Sequence, residues 1–176
     1  TLDEAKSIAE EIGYPVMIKS TNGGGGRGIK IVKNQNELKK NLRLAKTEAE
    51  QSFGNGDVYI EKYIDNPRHI EIQIIGDKFG NVVHLGEREC SIQRRNQKII
   101  EECPSPAISE NERNYICKLT LNAMRKIKYF NLGTVEYLYS KGKFYFIEMN
   151  TRLQVEHTVT EQVYNIDIVK EQIHIS

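Results

Sequence analysis

The sequence predicts an α+β fold, because helical and extended patterns mix along the chain without a regular β-α-β repeat. Apolar residues recur at helical spacing in several separate stretches. A run of glycines lies between two short apolar runs, and a Lys141-Gly142 pair lies between two alternating runs. Both arrangements are typical of strands joined by turns, so strands are expected beside the helices.

The first third of the chain predicts two helices and three strands. Apolar residues at helical spacing run from Leu2 to Ile12, and Gly13 stands where a helix C-cap is expected. The predicted order is a helix at 2–12, a strand at 15–19, a strand at 29–32, a helix through 38–49 that ends near 53–56, and a strand at 58–64. The Asn66-Pro67 pair breaks the pattern and predicts a boundary between a lid-like part at 1–64 and the remainder at 65–176.

The remainder predicts a second set of strands with two helices. Ser109 and Glu112 form a capping box, and the helix that they open carries one apolar stripe. The residues of this stripe are Ile116, Leu119, Ala123 and Ile127. The other predicted elements are a strand at 69–74, a turn at 76–80, a strand at 82–85, a hairpin of 134–139 with 144–149, and a helix at 166–175. A polar stretch at 87–98 interrupts the pattern after the second strand.

Composition and charge exclude several classes of protein. Lys and Arg total 25 against 24 Asp and Glu, so the formal net charge of +1 favours neither nucleic acid nor an anionic membrane as partner. No apolar run approaches the roughly 20 residues of a membrane span. Cys90, Cys103 and Cys117 are widely spaced and odd in number, which argues against a disulfide framework or structural zinc and favours a reducing compartment. Since the chain opens with Thr1 and stops within an apolar-periodic stretch, we expect it to be a piece of a longer protein.

The glycine loop at 22–28 is a candidate phosphate site. Four consecutive glycines and Gly28 leave backbone N–H groups free of side chains, which is how loops wrap phosphate oxygens. A glycine run alone is more often a flexible turn. Lys19 at the end of the preceding strand and Arg27 inside the loop favour a phosphate lid.

The hairpin around Gly142 is a candidate metal site. If its loop spans Lys141 to Lys143, Glu136 lies opposite Glu148, and two facing carboxylates repel unless they are solvated or hold a divalent cation. Asn150 would add an oxygen ligand that Mg²⁺ accepts. The alternatives are two solvated glutamates, or a two-residue turn that shifts the register and separates them.

The segment that follows the hairpin carries alternating polar residues, which would form one polar row in an extended chain. They are Glu148, Asn150, Arg152, Gln154 and Glu156. Beside the facing glutamates this row favours an anion site over a structural surface strand. Taken alone, the donor-rich stretch at 87–98 is typical of a solvated face. His69, taken alone, is more typical of a structural histidine than of a ligand.

Five motifs in order resemble the biotin carboxylase component of biotin-dependent carboxylases, an ATP-grasp enzyme. They are GYPVMIK at 13–19, GGGGRG at 23–28, EKYIDNPRHIE at 61–71, ERECSIQRRNQK at 87–98 and EMNTRLQVEH at 148–157. The resemblance runs nearly end to end and is closest to the subunit of acetyl-CoA and propionyl-CoA carboxylases. It implies an ATP-grasp fold, with the glycine-rich lid at 1–64 and the first part of the C-terminal domain at 65–176.

The resemblance also implies a role for each site residue. The residues that would contact the nucleotide are Lys19, Gly25, Gly26, Glu61, Lys62, Tyr63, Ile64, His69, Gln93 and Asn96. The residues that would bind Mg²⁺ or Mn²⁺ are Glu136, Glu148 and Asn150. Those of the bicarbonate site would be Lys98, Arg152 and the backbone at Val155, and Gln154 would be a further cofactor-binding residue. Arg152 and Lys98 would also act in catalysis, and Glu156 would be the base.

The implied reaction uses ATP, Mg²⁺ or Mn²⁺, bicarbonate, and biotin as a carrier-bound substrate. The implied partners are a biotin carboxyl carrier protein or domain, a carboxyltransferase component and further copies of the complete enzyme, with no nucleic acid and no membrane. The compartment would be the cytoplasm in bacteria, or the mitochondrial matrix or plastid in eukaryotes. The alternatives are another ATP-grasp ligase, such as carbamoyl phosphate synthetase, and a non-catalytic ATP-binding module.

Three positions depart from the pattern of many relatives. Asn96 stands where many have His and cannot be charged, so its role should be independent of pH. Thr158 resembles the pyruvate carboxylase branch, and Cys103 replaces a common Ala. The stretches at 83–87 and 170–173 look more like the acetyl-CoA carboxylase subunit, so the acceptor that is finally carboxylated stays open.

Overall fold

The structure is a computed structural model that describes residues 1–23 and 28–176. The described helices and strands are, in chain order, α1 (Leu2–Ile12), β1 (Val16–Ser20), β2 (Lys30–Val32), α2 (Gln35–Phe53), β3 (Val58–Lys62), β4 (Arg68–Gly76), β5 (Val82–Arg94), β6 (Gln97–Glu102), α3 (Glu110–Lys126), β7 (Asn131–Ser140), β8 (Lys143–Asn150), α4 (His157–Tyr164) and α5 (Ile168–Ile175). They form two compact units. The first comprises Thr1–Asp65 with Arg95–Gln97, and the second comprises Asn66–Arg94 with Lys98–Ser176. None of the described helices combines the length and the apolar character that a membrane crossing requires.

The first unit is a small antiparallel sheet with two helices. Its strands lie in the order β2-β1-β3. Small residues of α1, Ala5 and Ala9, are buried with Val16 and Ile18 of β1 and with α2. The predicted C-cap at Gly13 is confirmed, with φ at +82°. The predicted strand at 58–64 is shorter in the structure and ends at Lys62.

The second unit is a five-stranded antiparallel sheet in the order β6-β5-β4-β7-β8. Side chains along β4 alternate between its two faces, so Ile70, Ile72 and Ile74 point one way while Glu71 and Gln73 point the other. The isoleucines join α3 in a buried apolar core. The opposite face carries the polar Glu71 and Gln73, and further along it Ile75 and Leu132 pack against Ile168 of α5.

The capping box of α3 is confirmed, but the predicted apolar stripe is wrong. Ser109 and Glu112 exchange the two expected hydrogen bonds, whereas Leu119 and Ile127 are 46% and 61% exposed. The buried face instead consists of Ile116, Cys117, Thr120 and Met124. Thr120 is fully buried because its hydroxyl is satisfied by the Ile116 carbonyl at 2.8 Å and the Tyr137 hydroxyl at 2.8 Å. A polar residue thus occupies a core position that the apolar pattern could not indicate.

Strand β5 runs far beyond the predicted strand at 82–85, through most of the polar stretch at 87–98. The expectation of a solvated face is wrong for Glu87, Arg88 and Glu89, which are at most 2% exposed. Their charges have partners. Glu87 accepts hydrogen bonds from the Arg113 guanidinium at 2.6 Å and the Ser105 amide at 3.0 Å.

The hairpin turn and the C-terminal helices also differ from expectation. The turn of the hairpin consists of Lys141 and Gly142 alone, both at positive φ, instead of the expected three residues. The predicted helix at 166–175 is confirmed as α5, which begins at Ile168 with Asp167 as its N-cap. Helix α4 precedes it and was not predicted.

Candidate functional site

Four charged side chains form a row across the polar face of the five-stranded sheet. In the antiparallel register Arg88 pairs with Glu71, Glu71 with Glu136, and Glu136 with Glu148. The first three are 0%, 0% and 5% exposed, whereas Glu148 is exposed. A row with one cation and three carboxylates needs further positive charge, because directly opposed like charges are destabilising.

Lys98 supplies that charge. Its ammonium lies 2.5 Å from Glu71 Oε2, 2.9 Å from Glu136 Oε1 and 2.7 Å from Glu156 Oε1. Burial alone would lower the pKa of Lys98, but the charges of Glu71 and Glu136 outweigh it and raise the pKa. Lys98 is therefore a permanently charged centre among three carboxylates.

Glu136 is the most heavily hydrogen-bonded of these carboxylates. Its Oε1 atom accepts from Lys98, from Asn150 Nδ2 at 2.9 Å and from Gln154 Nε2 at 2.9 Å. Its Oε2 atom lies 3.0 Å from His69 Nε2. Burial acts to raise the pKa of Glu136, but the contact with His69 and the charge of Lys98 prevail and lower it to about 2.

Glu156 lies at the N-cap position of α4 and is 9% exposed. Burial opposes its ionisation, yet the hydrogen bond and charge of Lys98 outweigh this effect and lower the pKa of Glu156. The start of a helix also favours a carboxylate. Glu156 is thus ionised at neutral pH and can accept a proton.

The predicted polar row does not continue as one extended chain. Strand β8 ends at Asn150, and the segment then turns into α4. Gln154 and Glu156 are buried, whereas Arg152 and Val155 are exposed. The Arg152 guanidinium donates to the Leu153 carbonyl at 3.2 Å and to Asn150 Oδ1 at 3.5 Å, so it is held beside a predicted metal ligand.

His69 and Gln93 lie next to this cluster. Gln93 Nε2 is 3.2 Å from His69 Nδ1 and donates to the Cys90 carbonyl at 2.7 Å. His69 contacts Glu136, and its expected place along the nucleotide stays a prediction. Asn96 belongs to the first unit and lies in the turn between β5 and β6, at φ +62°.

The first unit holds the other predicted nucleotide residues. Lys19 on β1 and Glu61 on β3 form an ion pair of 2.5 Å between Nζ and Oε2. Lys62 ends β3, and Tyr63 donates its amide to the Pro15 carbonyl at 3.3 Å. Ile64 is buried. The predicted lid residues Gly25 and Gly26, with Gly24 and Arg27, lie outside the described residues.

Glu71 and Arg88 also belong to this cluster, although the sequence predicts no site role for either, and both lie in motifs that carry the family resemblance. Both are fully buried, and Arg88 Nε donates to Glu71 Oε1 at 2.6 Å. The only signal for Glu71 was its place between alternating isoleucines, which puts it on the same face as His69. For Arg88 no such signal existed, because a charged run is usually solvated.

The predicted metal ligands fit a hard divalent cation. Glu136 and Glu148 face each other, and Asn150 lies on β8 two residues beyond Glu148. Carboxylate and amide oxygens are the ligands that Mg²⁺ prefers. Glu148 is exposed while Glu136 is buried, and the binding of a cation by these residues stays a prediction.

Comparison with known proteins relates the whole chain to one family. The family model described as "Carbamoyl-phosphate synthase L chain, ATP binding domain" matches residues 1–176. Pyruvate carboxylase of Staphylococcus aureus is 57% identical over 172 residues, which are 98% of this chain and 15% of that protein. Biotin carboxylase 2, chloroplastic, of Populus trichocarpa is 55% identical over 175 residues, which are 99% of this chain and 33% of that protein.

A solved structure extends the similarity to the fold. It is the biotin carboxylase domain dimer of Hydrogenobacter thermophilus 2-oxoglutarate carboxylase, in complex with MgADP, ADP and bicarbonate. It matches with a TM-score of 0.96 and 55% identity, over 99% of this chain and 39% of that chain. The predicted α+β class is confirmed, and the fold is that of biotin carboxylase ATP-grasp domains. The chain spans well under half the length of these relatives.

Proposed function

The chain belongs to the family of carbamoyl-phosphate synthase L chain ATP-binding domains, and from this premise we propose that it is the ATP-binding part of a biotin carboxylase. The complete enzyme would use MgATP to activate bicarbonate and would then carboxylate biotin on a carrier. One observation carries this proposal: the Lys98 ammonium and the Glu156 carboxylate lie side by side, 2.7 Å apart, on a largely buried polar face. A cation that attracts an anion beside a carboxylate that takes a proton is what bicarbonate activation needs.

The proposed reaction has two stages, formation of carboxyphosphate and carboxylation of biotin. Glu156 removes the proton of bicarbonate, and a bicarbonate oxygen then attacks the γ-phosphorus of ATP while the bond to the β-phosphate oxygen breaks. The products are ADP and carboxyphosphate. Carboxyphosphate breaks down to CO₂ and phosphate, the released phosphate takes the proton from N1′ of biotin, and N1′ then attacks the CO₂ carbon.

Bicarbonate would be held by charge and by paired donors. The Lys98 ammonium offers positive charge, and the exposed Arg152 guanidinium offers two parallel N–H groups that match the oxygens of a planar anion. Both groups would also stabilise the negative charge that develops on carboxyphosphate. The backbone at Val155 and the buried amide of Gln154 would complete this site.

The nucleotide and the metal would be bound by the remaining predicted residues. Lys19, with Gly25 and Gly26, would hold the phosphates, and the segment from Glu61 to Ile64 would hold the adenine. His69, Gln93 and Asn96 would lie along the nucleotide. Glu136, Glu148 and Asn150 would hold Mg²⁺ or Mn²⁺, which, when bound, neutralises phosphate charge.

We further propose the partners and compartment that this activity requires. Biotin would arrive on a carrier protein or domain, and a carboxyltransferase component would use the carboxybiotin. The dimeric domain of H. thermophilus supports self-association of the complete enzyme. A chloroplastic relative and bacterial relatives support a plastid or a bacterial cytoplasm as the compartment.

The test is ATP cleavage by the full-length protein, measured as the release of ADP. We expect cleavage to require Mg²⁺ and bicarbonate and to be stimulated by free biotin. Cleavage that depends on ammonia or glutamine and ignores biotin would instead identify a carbamoyl phosphate synthetase. Binding of ATP without any cleavage would identify a non-catalytic module.

A further inference from the structure

Arg88 is one of the largest fully buried side chains among the described residues. Its guanidinium donates to Glu71 Oε1 at 2.6 Å, to Gln73 Oε1 at 2.7 Å and to Thr160 Oγ1 at 2.9 Å. A further donor lies 3.4 Å from Thr134 Oγ1. Burying a charge is costly unless its hydrogen bonds are satisfied, and here the guanidinium is held by partners on three elements.

The first of these partners is a direct neighbour of Lys98. Glu71 divides its carboxylate between two cations, with Oε1 on Arg88 and Oε2 on Lys98 at 2.5 Å. Because Arg88 holds one oxygen, it orients the whole carboxylate and with it the oxygen that contacts Lys98. The position of the Lys98 ammonium therefore depends on the guanidinium behind Glu71.

The second important partner is on the helix that begins at Glu156. Thr160 lies one turn further along α4, on the same side of the helix as Glu156. Its hydrogen bond to Arg88 ties the first turn of α4 to β5. Glu156 in turn contacts Lys98. Arg88 is therefore linked to the Lys98 ammonium in two ways, through Glu71 and through the helix that carries Glu156.

We infer that Arg88 is a positioning residue for bicarbonate activation, which aligns Glu71 and Glu156 about Lys98. This inference rests on the proposed function. Arg88 itself would touch no substrate, since it is fully buried behind Glu71. Loss of its hydrogen bonds should therefore slow the chemical step and leave the affinity for MgATP unchanged.

The experiment measures biotin-stimulated ATP cleavage by the full-length protein. The variant Arg88→Lys keeps the charge but loses the planar set of donors that Glu71, Gln73 and Thr160 share. Thr160→Val removes one hydroxyl with little change in shape, Thr160→Ser restores the hydroxyl, and Thr158→Val on the exposed side of α4 is the matched control. The Thr160 pair tests the inference even where Arg88→Lys does not fold.

We expect Thr160→Val to lower kcat by about tenfold, a size typical for partners that orient a functional side chain, with the KM for MgATP unchanged. Thr160→Ser and Thr158→Val should match the wild type. Wild-type kcat in Thr160→Val would overturn the inference. An equal decrease in melting temperature in Thr160→Val and Thr160→Ser would also overturn the inference, because that pattern indicates a purely structural role. Absence of biotin-stimulated cleavage in the wild type would instead overturn the proposed function, which keeps the two failures apart.

Discussion

Glu136 lies directly opposite Glu148 across β7 and β8, although the turn between these strands holds only two residues. Near the turn the register pairs Tyr137 with Phe146, which would separate the two glutamates. Ile147 is an extra residue in β8, so a bulge shifts the pairing by one and brings the carboxylates together. The facing pair thus depends on an irregularity of the strand.

The two members of this pair should respond differently to removal of their charge. Glu148 is exposed, so Glu148→Gln should raise the Mg²⁺ concentration needed for half-maximal ATP cleavage and leave the melting temperature unchanged. A Mg²⁺ titration of the full-length variant checks this. The same titration curve in variant and wild type would show that the metal is bound elsewhere.

Glu136 should be needed for stability as well. Glu136→Gln leaves the half-buried Lys98 with one carboxylate fewer and places an amide where three N–H donors converge. We expect a loss of about 1–3 kcal/mol in the free energy of unfolding, the usual cost of an unsatisfied buried partner. Chemical denaturation of Glu136→Gln and Glu148→Gln side by side gives the comparison. Equal stability of the two variants would contradict the network.

The bulge illustrates what the sequence could and could not predict. The facing glutamates were predicted from a three-residue loop that does not exist. The structure has the alternative two-residue turn, and the bulge at Ile147, which leaves no signal in the sequence, restores the facing pair. Features that depend on local chemistry, such as the capping box of Ser109 and Glu112, could be predicted, since the required residues are adjacent in sequence.

Buried charge was the feature that sequence patterns concealed. Glu87, Arg88 and Glu89 read as solvated because charged residues are rarely buried without partners. Their partners, such as Arg113, lie far away in the sequence and become neighbours only after folding. The core position of Thr120 on α3 could not be predicted for the same reason, since the hydrogen-bond partner of its hydroxyl, Tyr137, becomes a neighbour only after folding.

The capping box should give a measurable pH dependence of stability. Hydrogen bonds from Ser109 and Tyr139 lower the pKa of Glu112 from 4.5 to about 2. A carboxyl whose pKa is lowered by folding stabilises the protein above its unfolded pKa, and this stability is lost as pH falls through the folded value. The contribution of Glu112 is therefore full above about pH 4.5 and disappears towards pH 2.

Glu112→Gln tests this contribution, because an amide keeps the capping geometry without the charge. We expect the difference in unfolding free energy between wild type and variant to shrink as pH falls from 4.5 to 2. Glu110→Gln, in the same first turn, is the matched control. A difference that is constant over this range would show that the charge of Glu112 plays no part.

Substitution of Glu156 and substitution of Arg152 should have different effects on kcat and on the KM for bicarbonate. Glu156 is buried against Lys98 and is ionised, so it is placed to take the proton of bicarbonate. An amide at this position can still accept a hydrogen bond from Lys98 but cannot take a proton. Glu156→Gln should therefore lower kcat by about 10²–10⁴ and leave the KM values for bicarbonate and MgATP near those of the wild type.

Arg152 is exposed, and its guanidinium donates to the Leu153 carbonyl and to Asn150 Oδ1 and forms no ion pair within the described part of the chain, so its charge is free to meet an anion. Arg152→Ala should raise the KM for bicarbonate and lower kcat together, because it removes the anchor and the charge that stabilises the reacting oxygens. Steady-state kinetics of both full-length variants, with bicarbonate varied at saturating MgATP, separate the two roles. If Glu156→Gln turned over at the wild-type rate, the base would have to be another group, and the Glu156 carboxylate would serve only to hold Lys98 in place.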